Sequence, residues 1–282
     1  MIDREKNFLI VGLGMMGGSY GERLSKAGYS VYATDIDPEA LEIGRNRGII
    51  RNEGESEEEL LGSADYLILA LPPSLCVPWV EAHQKKMKKG IILTDILGVK
   101  SRFVDEMQDL LEDDRELISM HPMTGKETKG VVHSSGNIFN SSNMLIVPSK
   151  KNTPRGIKFA KELSKILDVK NVRIVPLEEH DRVVGYVSHL PHLLAVGLIN
   201  SCPNKDIVEC AGTAFRDFSR IANINESLWG EIFMENRGEL IPLIDEYVER
   251  LTRLEKAMRE EDREALNEEL KKSRETMNRF RR

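Results

Sequence analysis

Near the N-terminus an apolar run, Phe8-Leu9-Ile10-Val11, passes directly into Gly12-Leu13-Gly14-Met15-Met16-Gly17-Gly18, and the stretch behind it stops at Gly28. That order predicts a strand, a tight turn and a helix. A second strand is predicted over 30–34. Asp37-Pro38 then supplies an N-cap and a preset first residue for a helix over 39–47, closed by Gly48. Ser56 and Glu59 have the spacing of a capping box. Residues 66–70 form an almost unbroken apolar run ahead of Pro72-Pro73, as expected of a parallel strand covered on both faces. Further strands are predicted over 91–94, 116–120, 144–147 and 172–175, and helices over 101–111 and 154–167.

Strands alternating with helices call for the α/β class, here a Rossmann-type, doubly wound, mostly parallel sheet. From Pro176 onward the apolar spacing is helical throughout. We therefore expect residues 1–176 to form a nucleotide-binding domain and residues 177–282 a second, all-helical one. Its final stretch, 240–282, sets Leu251, Leu254 and Met258 among dense mixed charge. An amphipathic helix of that length calls for a partner helix, so a homodimer through the helical domain is expected.

A chain of 282 residues, 40% apolar and 30% charged, has room for two soluble domains. Its net charge of −6 gives no reason to expect nucleic acid or an anionic membrane as a partner. The cysteines, Cys76, Cys202 and Cys210, form no C-x-x-C pair, so neither a disulfide framework nor a thiolate zinc site is expected. The N-terminus is charged and lacks an apolar leader. A cytoplasmic protein without a membrane span is the expectation.

The first turn fits the dinucleotide fingerprint G-x-G-x-x-G, with Gly12, Gly14 and Gly17 in the glycine positions and Leu13, Met15 and Met16 between them. Asp35, at the end of the second strand, has the position of an acid that accepts hydrogen bonds from the adenosine ribose and repels the extra phosphate of NADP. This points to NAD. In such sheets ligands lie beyond the carboxyl ends of the strands, where Leu71 and Pro72, Asp95 and His121 also fall. An ordinary imidazole titrates near ~6.5, so His121 could take a proton at neutral pH; alone, it reads equally as a structural histidine. His189 and His192 stand three apart on one helix face, and with no third ligand in view no metal site is expected. Arg216 and Arg220, four apart, offer guanidinium forks for a carboxylate, with Asp217 beside them.

Taken in order, these motifs resemble the prephenate dehydrogenase (TyrA) family of tyrosine biosynthesis. The resemblance runs from Phe8 to about Arg237 through Gly12 to Ser19, Asp35-Ile36-Asp37-Pro38-Glu39, Thr94-Asp95 with Val99-Lys100, His121-Pro122-Met123 with Gly125 and Glu127, Ser188-His189-Leu190-Pro191-His192, and Phe215-Arg216-Asp217-Phe218 through Arg220 to Trp229. It implies oxidative decarboxylation of prephenate, or of its amino analogue arogenate, with NAD as hydride acceptor. By the same resemblance His121 is the base, Arg220 the substrate-carboxylate ligand steadied by Asp217, His189 a polar lining residue of the substrate pocket, and Glu127 a pocket acid beside Thr124 and Gly125.

This chain departs from the family at Leu97 and Gly98, where a glycine and then a substrate-positioning serine are usual, and at Thr124 and Lys126, which replace smaller residues. No regulatory ACT domain is expected after Arg282, so tyrosine inhibition would act at the active site. Two other readings stand beside this one. A β-hydroxyacid dehydrogenase would share the fingerprint but needs a catalytic lysine on the helix entering the second domain, and none lies between Glu178 and Asn200. A non-catalytic NAD-binding paralogue would explain Gly98, but not the joint presence of His121, Asp217 and Arg220.

Overall fold

The structure, a computed structural model, describes residues 2–280 apart from 113, 126, 127 and 203. The chain opens with β1 (Asn7–Val11), α1 (Met15–Lys26), β2 (Ser30–Thr34), α2 (Pro38–Asn46), α3 (Glu57–Ser63), β3 (Tyr66–Leu69), α4 (Pro73–His83), β4 (Ile92–Asp95), α5 (Phe103–Leu110) and β5 (Glu116–Leu117). These strands form one parallel sheet in the order β2-β1-β3-β4-β5. Alternation along β1 explains why both faces are covered. Phe8 and Ile10 enter one core with Tyr20, Ile68 and Phe159, while Leu9 and Val11 enter the other with Leu67, Leu69, Leu93 and Val104. The local signals are realised: Asp37 accepts from the Glu39 amide at 2.9 Å, and Ser56 and Glu59 form the reciprocal capping box.

The sheet does not continue as one unit. The run predicted as a single strand over 116–120 breaks at Ile118, whose amide still donates to Leu93 O at 2.9 Å on the first sheet. Beyond it β6 (Ser119–Pro122) begins a second sheet with β7 (Asn143–Val147) and, after α6 (Pro154–Leu167), β8 (Asn171–Ile174). β6 and β7 are antiparallel, and β7 and β8 parallel. The 123–142 link contains only short 3-10 turns among its described residues, and without a crossover helix an antiparallel return is the natural outcome. His121 therefore lies within β6, paired with Leu145, one residue short of the strand end.

From Leu177 the described elements are helical: α7 (Leu177–Val184), a π-helical turn (Gly185–His189), α8 (Leu190–Asn200), α9 (Thr213–Ser219), α10 (Glu226–Glu235), α11 (Arg237–Arg259) and α12 (Arg263–Phe280). The run Leu177–Asn200 is long and apolar enough to cross a bilayer by length and composition alone. Its N-terminal part nevertheless carries His180 and Asp181, both buried against the first domain.

Candidate active site

The glycine turn divides its work as the sequence pattern requires. Gly12 has φ +90°, and a side chain there would meet Ala70 O at 2.6 Å; at Gly17 one would meet Gly12 O at 2.0 Å. A side chain at Gly14 would meet nothing within 4 Å, and this residue caps α1 without a side-chain bond, so the first amides of the helix have no side-chain cap. Leu13 and Met15 are buried beneath the turn, with Met16 partly so. Leu71 and Pro72 follow β3 beside it. Asp35 has a role that its sequence position does not suggest: its Oδ2 accepts from Leu13 N at 2.6 Å and its Oδ1 from Asp37 N at 2.8 Å, tying the glycine turn to the end of β2. An open cradle at a helix N-terminus with an acid beside it fits a dinucleotide.

His121 heads a chain of hydrogen bonds that crosses between the two halves of the molecule. Its Nδ1 lies 3.0 Å from His180 Nε2, and His180 Nδ1 lies 2.7 Å from Asp181 Oδ1. Asp181 also accepts from Lys100 N at 2.8 Å, from Ser101 N at 2.9 Å and from the Ser101 hydroxyl. Burial alone would raise the Asp181 carboxyl, but the bonds from His180 and Ser101 outweigh it and hold it at about 2. An ionised carboxylate can only accept, and burial lowers His180 below the ordinary imidazole value despite Asp181, so a neutral His180 carries one proton, on the nitrogen that faces Asp181. His180 donates from Nδ1, so its Nε2 is an acceptor. His121 must then donate from Nδ1, which leaves the lone pair on Nε2, a nitrogen without a partner among the described residues. Burial, with His180, Lys100 and His189 adding to it, moves His121 well below the ordinary imidazole value, so it is neutral at pH 7. Position along the chain alone suggests an unperturbed group, because the sequence does not show this burial.

Lys100 is fully buried; its Nζ donates to Asp95 Oδ1 and, at 2.8 Å, to Met120 O. Burial lowers its ammonium, opposed by Asp95. On the helical side His189 is 2% exposed, with Nδ1 2.8 Å from Asn236 Nδ2, and Trp229 stands edge-on to its ring. His192 stacks on Trp229 at 3.9 Å and bonds through Nδ1 to Ser188 O. Gly98 has room for a side chain, since a Cβ there would make ordinary contact with Ile232 at 3.6 Å. Helix α10 reaches the cofactor side through Glu231, which accepts from Ser74 N.

The other expected residues are less closely gathered. Thr124 is partly buried, its hydroxyl on Ile138 O at 3.2 Å, and Gly125 is exposed with open space around it. Arg216, Asp217 and Arg220 lie exposed on α9 and the turn after it, with Arg216 Nε on Ala211 O at 3.1 Å; the flanking Phe215 and Ile221 are partly buried and Phe218 is exposed. Glu127 and Lys126 lie outside the described residues. Sequence reasoning passed over His180, Asp181, Ser101 and Asn236. The available signal was a His-Asp pair in an otherwise acidic first helical turn, Glu178-Glu179-His180-Asp181.

The family profile described as the nucleotide-binding domain of prephenate dehydrogenase matches residues 20–174, and the one described as its dimerization domain matches residues 176–272. A prephenate dehydrogenase of Bacillus subtilis (strain 168) is 26% identical over 275 residues, 94% of this chain and 74% of that one. A cyclohexadienyl dehydrogenase of Zymomonas mobilis is 26% identical over 281 residues, 95% of this chain and 94% of that one. Among solved structures, prephenate dehydrogenase from A. aeolicus, in complex with hydroxyphenyl propionate and NAD+, superposes with a TM-score of 0.87 at 29% identity, over 99% of this chain and 100% of that one. On these matches, the chain belongs to the prephenate dehydrogenase family.

Proposed function

We propose that this protein catalyses the NAD-dependent oxidative decarboxylation of prephenate to 4-hydroxyphenylpyruvate and carbon dioxide, with arogenate as the alternative substrate. The observation that carries this is the Asp181–His180–His121 relay, which leaves His121 Nε2 with a free lone pair on a neutral ring and no partner among the described residues. Such a relay supports a working base, against the reading of a non-catalytic paralogue. Bound NAD supplies the hydride acceptor. Gly14 and the α1 amides would hold its pyrophosphate, and Asp35 its ribose. His121 Nε2 takes the proton of the C4 hydroxyl as the C4 hydrogen departs with its electron pair. The C1–carboxylate bond then breaks, its electrons complete the aromatic ring, and His121 returns the proton to the phenolic oxygen. His180 and Asp181 stabilise the imidazolium between those two moments. Arg220 and Asp217 bind the substrate carboxylate, with His189, Gly98, Thr124, Gly125 and Glu127 lining the same pocket.

We place residues 1–176 in the cofactor domain and 177–282 in a substrate and dimerisation domain. In the most apolar part of Leu177–Asn200 only 28% is buried, and Tyr186, Val187, Leu198, Ile241, Val248 and Leu251 are exposed. That surface supports burial against a second copy. The three free thiols support a reducing, cytoplasmic setting.

The test is NADH formation with prephenate and arogenate offered in parallel. Turnover is expected, and the ratio of kcat/KM values names the substrate; inertness toward both contradicts the proposal. In the same assay Asp35→Ala is expected to erode the preference for NAD over NADP. An unmoved ratio removes Asp35 from ribose recognition.

A further inference from the structure

Asn236, in the junction between α10 and α11, is 2% exposed. Its Nδ2 meets two groups, Asp181 O at 2.9 Å and His189 Nδ1 at 2.8 Å. A side-chain amide could in principle be turned about, but the backbone carbonyl of Asp181 can only accept, so it is the amide nitrogen that faces it. One hydrogen of that nitrogen goes to the carbonyl and the other points at His189. His189 Nδ1 is therefore the acceptor and carries no proton.

We infer that Asn236 is a positioning residue that locks His189 in its Nε2–H tautomer and so makes it an obligate hydrogen-bond donor to an oxygen acceptor of the substrate, a carboxylate or carbonyl. This rests on the placement of His189 in the substrate pocket. Three features serve the lock. His189 Nε2 has no partner among the described residues, so the donor is available. Gly185, in the π-helical turn that carries His189, has no side chain where a Cβ would press on Asn236 Nδ2 at 3.3 Å and on Leu243 at 3.2 Å. Pro191, which has no amide to donate to the carbonyl four residues back, sits just beyond this wide turn. Burial, offset in part by Asp181, also lowers His189 to about 4, so the ring is neutral and its tautomer is the variable that matters. Because Asp181 lies behind His121 as well, one amide joins the donor on the helical side to the base on the sheet side.

The test is nitrogen NMR of full-length protein labelled with 15N-histidine, using His189→Asn to identify the His189 signals. Between pH 6 and 8 the expected result is Nδ1 without a proton and Nε2 with one. A proton on Nδ1 in the wild type overturns the inference. Asn236→Asp replaces the donor with an acceptor, and its expected signature is protonation of Nδ1; unchanged His189 signals in that variant also overturn it. In steady-state assays Asn236→Leu is expected to raise KM about tenfold with kcat little changed, as for lost ground-state binding. The NMR arm needs no substrate. Failure of the wild type to turn over prephenate or arogenate would sink the functional reading alone, and the nitrogen assignment stands or falls separately.

Discussion

Replacement of His121 with asparagine is expected to lower kcat by about 10²-fold or more with a modest change in KM. Asparagine keeps a polar side chain in β6, but its amide cannot take the hydroxyl proton, so what is lost belongs to the transition state. The same residue sets the acid side of the pH profile. Burial first, then the neighbouring His180, Lys100 and His189, push His121 well below 6.5. A base with a lowered value is neutral at and above pH 6.5 and is lost only when the pH falls through that lowered value. The acid limb of kcat/KM should therefore lie well below pH 6.5, with no loss between pH 7 and 6.5 from this group. Wild-type turnover in His121→Asn, or an acid limb at or above pH 6.5 that vanishes with His121, contradicts this assignment.

The parts of this site that the sequence made legible are those that depend on neighbours along the chain. Gly12, Gly14 and Gly17 work within one turn, and each role shows in spacing alone; Asp35 acts one strand away, at the distance the fingerprint sets. The relay is different in kind. His121 and His180 are 59 residues apart, and in sequence Asp181 is one more acid at a helix start, where acids serve the helix dipole. Only the folding of α7 onto the loop after β4 turns it into an acceptor for Lys100 and Ser101. Likewise 116–120 carries no glycine or proline to mark a break, so the transfer of the chain from one sheet to the next at Ile118 is decided by pairing with Leu93 and Val147, not by local preference. Lys100 reads in sequence as a loop lysine, a residue type rarely buried unless paired.

Replacing Lys100 with methionine is expected to destabilise the fold by about 3–5 kcal/mol. Lys100 and Asp95 are both fully buried and bonded to one another, and Asp95 Oδ2 already lacks a partner among the described residues. Methionine fills the space of the lysine stem but leaves the carboxylate without its counter-charge in a dry environment, which costs far more than the pair contributes. The double variant Lys100→Met with Asp95→Asn removes the stranded charge, and most of the loss should return. Urea unfolding of the three proteins checks both statements. A loss below about 1 kcal/mol in the single variant, or a double variant no better than the single, would show that this pair is not held as a buried ion pair.

On this mechanism hydride transfer is coupled to loss of the ring carboxylate, with His121 as the base. The coupling is tested by following NADH by absorbance and carbon dioxide by trapping from carboxyl-labelled prephenate, in one reaction with the wild-type protein. The two are expected to appear together in equal amounts, with 4-hydroxyphenylpyruvate as the product, and both to slow by the same factor in His121→Asn. NADH without carbon dioxide, or carbon dioxide at the wild-type rate in that variant, would contradict it.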